Sequence, residues 1–357
     1  MKKNTKIIYF LLSSLKFGGA ERVALSLAKA LKEDGMKVEF LLMSKEGEFL
    51  AEAEEHFNVV DLKCNKTYKL PGKLLAYLIK NKPDVLISSF WKLNLCSCLA
   101  KVLFPNSKLI LWEHSPPSKT PFSPTWLYFF SASVLYQFSS KIVAVSEGVR
   151  EDIRHYTIGL SDKLVTIYNP ITPPKSALLK SCASKTNNPL LIISVGRLEY
   201  PKNPELLLEA FALVIRNIPA TLLFVGEGSL RKQLEQLCVD LGVEKHVRFY
   251  GFSSRPYEQM IEADLFVMSS DFEGLPTTII EALFCGLPVV STDCPSGPRE
   301  LLMDGKYGSL VPVNDKTTLA TAIEFELKNR RLPEVQQAAA QRFLPSVVVK
   351  QFLVLMN

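Results

Sequence analysis

Apolar runs of strand length alternate with amphipathic segments of helix length from one end of this chain to the other. That is the rhythm of a parallel sheet whose strands are joined by helical crossovers. In the first half the strands are expected near 6–12, 37–43, 58–62, 84–88, 108–112, 141–145 and 164–167, with helices near 20–34, 72–81, 93–103, 124–138 and 147–156. The rhythm stops between Asn169 and Pro189, in a stretch holding Pro170, Pro173 and Pro174 and ending in Asn187, Asn188 and Pro189. It restarts with strands near 190–195, 221–225, 247–250, 265–268, 288–291 and 308–311, and helices near 204–217, 230–241, 256–263, 277–284, 315–328 and 333–342. The 357 residues suffice for two domains that each bury a core. The expected organisation is α/β: a doubly wound domain over 1–168, a linker over 169–189, and a second doubly wound domain over 190–357, with room for the last helix to pack back on the first. Strand carboxyl ends of both sheets would border a cleft between the domains, where ligands of such folds bind.

Seven cysteines are scattered, with no C-x-x-C pair and no Cys/His ligand spacing, which excludes a disulfide framework and a structural zinc site. Small buried thiols in a reducing compartment are the expectation, hence a cytoplasmic protein. Lys2, Lys3 and Lys6 ahead of the apolar run 7–12 imitate a secretory signal, but the run is short and no small-x-small cleavage site follows. No apolar stretch reaches the ~18 residues of a membrane span; the richest, 126–138, is broken by serines and a glutamine. The net charge of +6 divides unevenly: residues 1–185 carry 26 Lys and Arg against 16 Asp and Glu, and the remainder 16 against 20. The basic half is either a solvated surface or a face for dense negative charge such as anionic headgroups or phosphorylated substrates. Nucleic-acid modules are missing, so no nucleic acid is expected as partner.

Four segments have residue types suited to chemistry. Gly18-Gly19 lies in a strand-to-helix turn ahead of Glu21 and Arg22, where glycine backbone and a free helix start approach an anion or simply make the turn. Arg197 and Lys202 fall in the loop after the first strand of the second domain, just before a helix opening at Pro204. They are either solvated cations or a diphosphate clamp that neutralises a departing anion. In Glu273-Gly-Leu-Pro-Thr-Thr-Ile-Ile-Glu281 a turn leads into a helix. Free N–H groups near Gly274, Leu275 and Thr278 can hold phosphate there while both glutamates accept hydrogen bonds from hydroxyls. His114 ends the fifth strand in the order Trp-Glu-His-Ser, as a packed residue or a ligand contact. No D-x-D occurs, which weighs against a metal bridged to diphosphate by an Asp pair, and no metal site is expected. A G-x-S-x-G, a Walker loop and a kinase set are likewise missing.

Together the elements resemble glycosyltransferase family 4, the nucleotide-sugar enzymes of the two-domain GT-B type. The resemblance runs through G-G-A-E-R (18–22), W-E-H-S (112–115), V-A-V-S-E-G-V (143–149), Y-N-P (168–170) and V-G-R-L-x-x-x-K (195–202). It continues through F-V-G-E-G-x-L (224–230), E-G-L-P-T-T-I-I-E-A-L (273–283) and S-T-D-C-P-S-G-P-R-E-L-L (291–302). It implies transfer of a hexose or N-acetylhexosamine from a nucleotide diphosphate sugar, with UDP the family expectation, to a hydroxyl with retained anomeric configuration and no bound metal or other cofactor. By motif position Arg197 and Lys202 would hold the diphosphate, Glu281 the ribose and Glu273 the donor sugar. His114 would touch that sugar, and Gly18-Gly19 would sit under the phosphates. The resemblance is to bacterial members that build lipopolysaccharide, O-antigen or capsule on lipid carriers. It implies a lipid-linked saccharide acceptor and peripheral contact of the basic half with the anionic inner membrane. Two other readings stay open: a catalytically silent subunit of a polysaccharide assembly complex, and a UDP-sugar 2-epimerase-like enzyme.

Overall fold

The structure is a computed structural model that describes residues 5–16, 18–119, 125–174 and 189–357. The start of the lysine-rich amino terminus, the first residue of the helix expected from 124, Cys182 and most of the expected linker lie outside the described residues. The chain divides into two compact units, residues 1–172 with 343–357, and residues 173–342. Residues 343–357 fall with the first unit.

The first unit is a seven-stranded parallel sheet of β1 (Ile7–Leu12), β2 (Lys37–Leu42), β3 (Asn58–Asp61), β4 (Val85–Ser89), β5 (Lys108–Glu113), β6 (Lys141–Ala144) and β7 (Leu164–Thr166). Their order across the sheet is β3-β2-β1-β4-β5-β6-β7. Its helices are α1 (Gly19–Glu33), α2 (Leu50–His56), α3 (Leu70–Asn81), α4 (Trp91–Leu103), α5 (Thr125–Leu135) and α6 (Glu147–His155). The central strands are buried along nearly their whole length, as strands covered by helices on both faces must be. α1 shows how a crossover forms: Glu21 lies in its first turn and Lys32 in its last, matching the helix dipole, and Val23, Leu27 and Leu31 recur at helical spacing on its buried face. Ser146 caps α6 through the Val149 N–H at 3.1 Å.

The second unit repeats the plan with β8 (Leu190–Val195), β9 (Ala220–Val225), β10 (Val247–Gly251), β11 (Leu265–Met268), β12 (Val289–Thr292) and β13 (Ser309–Val311), ordered β10-β9-β8-β11-β12-β13 and all parallel. Its helices are α7 (Pro204–Val214), α8 (Arg231–Leu241), α9 (Pro256–Glu262), α10 (Thr277–Phe284), α11 (Pro298–Leu301), α12 (Lys316–Lys328) and α13 (Pro333–Ala340). The core runs from Ile192 and Leu222 on the sheet to Phe211, Leu234 and Ile323 on the helices.

The closing helix α14 (Pro345–Met356) completes the first unit. Phe352 is fully buried and meets Trp112 of β5 edge-on at 5.2 Å, while Lys6 Nζ donates to the Met356 carbonyl at 2.6 Å. α2, α11 and α14 were not among the expected helices. α2 and α11 are too short for a helical period to emerge, and α14 is apolar on most of its residues. All six described cysteines are free and buried, as expected of structural thiols. Among the described residues no helix is long and apolar enough to cross a membrane.

Candidate functional site

In the second unit, the loop from Gly196 to Asn203 leaves β8 and the loop from Ser269 to Pro276 leaves the neighbouring β11, so both stand at the same sheet edge. Hydrogen bonds lace them together. Ser269 Oγ donates to the carbonyls of Lys202 at 3.1 Å and Asn203 at 2.8 Å, and the Asp271 N–H donates to the Pro201 carbonyl at 2.9 Å. Asn203 takes a left-handed backbone, caps α7 through the Leu206 N–H at 3.2 Å, and donates to Asp271 Oδ1 at 2.9 Å. Beneath the loop, a Cβ on Gly226 (φ +148°) would lie 1.9 Å from the Gly196 carbonyl oxygen, so only glycine lets the two segments cross this closely.

This lacing brings Lys202 Nζ to 2.6 Å from Glu273 Oε1, which also accepts from Ser270 Oγ at 2.7 Å. Lys202 is 29% exposed and Glu273 10%. Arg197, Lys202, Glu273 and Thr278 line one small cavity with Ser270, which leaves about 20 Å³ free. Arg197 is exposed, and among the described residues it forms no ion pair or hydrogen bond. The neighbouring Glu199 carboxyl is held below its usual range by the backbone and side-chain donors of Ser229, with the Arg197 charge adding to the effect. α10 starts at Thr277, directly after this loop, and among the described residues no side chain caps it, which leaves its positive dipole end beside the loop. Gly297 (φ +92°) supports that start, since a Cβ there would fall 2.4 Å from Pro276 Cδ. Burial pushes the Cys294 thiol up to about 12, so it stays a thiol and no nucleophile.

The other expected residues are placed differently. Leu275 and Glu281 are buried, and neither they nor Gly274 line the cavity that holds Lys202. Gly18 is the extended residue before α1 and Gly19 its first residue, beyond the carboxyl end of β1 in the first unit. His114 follows β5 two strands away along the same sheet edge. Its ring lies 4.7 Å from that of Trp112 and 5.4 Å from that of Phe90, both ring nitrogens are shielded and have no hydrogen-bond partner among the described residues, and burial holds the imidazole down at about 3. The adjacent Glu113 is buried and accepts from Asn94 Nδ2 at 3.0 Å and from the Tyr136 hydroxyl. Burial raises its carboxyl to about 7, against the opposing effect of those two donors. Ser269, Ser270 and Phe90 were not anticipated as site residues. The serine pair ending the buried β11 run was a legible signal, while nothing in the residue type announces Phe90.

Two cations, a carboxylate and an uncapped helix start at the strand carboxyl ends of a doubly wound domain form a constellation suited to a sugar diphosphate. The family model of glycosyl transferases group 1 matches residues 180–343, and that of Glycosyltransferase Family 4 matches residues 17–174. The N-acetylgalactosamine-N,N'-diacetylbacillosaminyl-diphospho-undecaprenol 4-alpha-N-acetylgalactosaminyltransferase of Campylobacter jejuni is 30% identical over 347 residues, 92% of each chain. The lipopolysaccharide core biosynthesis glycosyltransferase LpsE of Rhizobium meliloti is 30% identical over 319 residues, 87% of this chain and 85% of that one. HepE of Anabaena, solved in complex with UDP, shares the fold with a TM-score of 0.81 over 98% of this chain and 99% of that one, at 23% identity. This chain belongs to glycosyltransferase family 4, and it is a glycosyltransferase with the two doubly wound domains of the GT-B fold.

Proposed function

We propose that this enzyme transfers a hexose or N-acetylhexosamine from a UDP-sugar to a hydroxyl of a lipid-linked saccharide in bacterial surface polysaccharide synthesis, with retention and without a metal. The observation that carries the reading is the Lys202–Glu273 pair, held by Ser270 in a cavity that Arg197 also lines. The bond from the anomeric carbon to the phosphate oxygen breaks, the bond to the acceptor oxygen forms on the same face, and the acceptor proton passes to the departing diphosphate. Charge builds on that diphosphate, and Arg197 and Lys202 are the fixed cations that meet it. Glu273 accepts a hydroxyl of the donor sugar, and the first turn of α10 at Thr278 lends N–H groups to phosphate. Gly274, Leu275 and Glu281 shape the nucleotide side. His114 contacts the sugar, and Gly18-Gly19 lie under the phosphates, by motif position. The names of the Campylobacter and Rhizobium relatives support the acceptor class.

Thermal unfolding of wild type and Arg197→Ala against UDP, GDP, ADP and CMP tests the donor site, since a ligand at ~100 times its dissociation constant adds about 2.7 kcal/mol. Stabilisation by UDP alone, lost in the variant, is expected. Equal stabilisation of both proteins would move the diphosphate away from Arg197.

Contact with an anionic membrane surface on the cytoplasmic side is part of the same proposal. α5 exposes Trp126 and Phe130, each 62% exposed, beside Leu127 and Val134, and the adjoining α4 exposes Leu103. With the lysine excess of residues 1–185, this apolar face suits an interface of anionic headgroups. Sedimentation with phosphatidylglycerol vesicles is expected to fall with salt and with Trp126→Ser/Phe130→Ser, and salt-independent binding would count against it.

A further inference from the structure

We propose that Phe90 is a positioning residue for His114, its backbone forced into a glycine-like conformation so that its ring and that of Trp112 hold the imidazole in one orientation. The inference rests on the reading above that His114 meets the donor sugar.

Phe90 follows β4 and precedes α4, with φ +72° and ψ 139°. A side chain with a Cβ crowds its own backbone there, and glycine alone enters the region freely. Two backbone bonds keep the residue in place. Its N–H donates to the Trp112 carbonyl at 3.3 Å, one step past the Ser89–Trp112 pairing of β4 with β5, and its carbonyl accepts from the Asn94 N–H at 2.9 Å as α4 begins. Glycine would make both bonds without strain, so what phenylalanine contributes is its ring.

That ring lies 5.4 Å from the His114 ring at 41°, reaching it from the neighbouring strand. Trp112 reaches it from the same strand, two residues earlier, at 4.7 Å and 43°. Aromatic contacts fix the ring plane without occupying either nitrogen. Both nitrogens are left shielded and unpartnered, the condition of a buried polar group that a ligand hydroxyl completes. Among the described residues, burial is what lowers the imidazole. Glu113, next along β5, accepts on Oε1 from Asn94 of α4 and from Tyr136 beyond α5, while on α4 Lys92 is exposed and Lys101 binds the carbonyls of Pro105 and Ser107.

The test pairs steady-state kinetics with imidazole NMR of the full-length enzyme without donor, the His114 signal being assigned among four histidines with His114→Gln. In wild type and Phe90→Tyr the signal is expected to stay constant between about pH 5 and 8. In Phe90→Gly, which relieves the backbone and removes the ring that covers the imidazole, it is expected to titrate toward the ordinary ~6.5, while Phe90→Leu, which keeps bulk without a ring, is expected to leave it silent. Turnover should fall about tenfold or more in those two variants, with a smaller change in KM. A His114 signal that stays silent in folded Phe90→Gly, or wild-type turnover in both Phe90→Gly and Phe90→Leu, would overturn the proposal. Wild-type transfer by His114→Gln would instead overturn the role of His114, a separate result from the NMR titration.

Discussion

Lys202 and Glu273 are 71 residues apart in the chain and 2.6 Å apart in space, the ammonium of one loop against the carboxylate of the next. Each holds the other in place, and Ser270 Oγ donates to the same Glu273 Oε1 at 2.7 Å. On the proposed reading, an entering diphosphate would compete for Lys202 and free Glu273 for a sugar hydroxyl, which couples the two side chains.

Lys202→Ala and Glu273→Ala are therefore each expected to lower turnover by at least ~100-fold, the scale of losing one preorganised electrostatic contact. The double variant should lose less than the product of the two single losses, because the side chains share one ion pair and each single change already disturbs the other. Near-normal turnover in both single variants would sink the assignment.

Gly226→Ala is expected to disturb the Arg197 loop from beneath. The new Cβ would collide with the Gly196 carbonyl at a φ that alanine rarely adopts. Destabilisation of about 1–3 kcal/mol in chemical denaturation, with weakened UDP binding, is the expected result. Unchanged affinity with lowered stability would separate the loop from the donor site.

Glu113 and His114 make opposing contributions to stability. The Glu113 carboxyl is raised from 4.5 to about 7, so its contribution is full below pH 4.5 and is lost, by about 3 kcal/mol, as pH rises through 7. The imidazole is lowered from 6.5 to about 3, so its contribution is full above pH 6.5 and is lost as pH falls toward 3. Their slopes offset each other in wild type. Glu113→Gln should leave stability rising with pH between about 3 and 6.5, and His114→Gln should leave it falling between 4.5 and 7. Parallel profiles for the two variants in denaturant titrations would remove both groups from the account.

Transfer is expected to persist, within about twofold, after dialysis against a chelator, since on the proposed reading Arg197 and Lys202 would supply the charge that a metal would otherwise bring to the diphosphate. Loss of activity restored by a divalent cation would reverse that reading.

Much of the fold was legible because it is written in short-range order. Runs such as Ile7–Leu12 and Leu190–Val195 and the crossovers between them depend on residues a few positions apart, so alternation alone announced two parallel sheets. Pro204 marked the start of α7 for the same reason, as a residue with no N–H to lose at the first helical position. Candidate chemistry could be read as residue types at strand ends, which is how Arg197, Lys202, Glu273 and His114 came forward.

What tertiary structure alone decided is which of those residues meet. The order β10-β9-β8-β11-β12-β13 makes the ends of β8 and β11 neighbours, and only that adjacency sets Lys202 against Glu273 while Glu281 turns inward. The return of α14 beneath Trp112 depends on apolar surface that exists only once β5 lies in its sheet. The left-handed backbone of Phe90 is imposed by hydrogen bonds to Trp112 and Asn94 and by the rings around His114, against the residue's own preference. Local sequence sets what each segment can form, and the burial and pairing of distant segments select which of those possibilities touch.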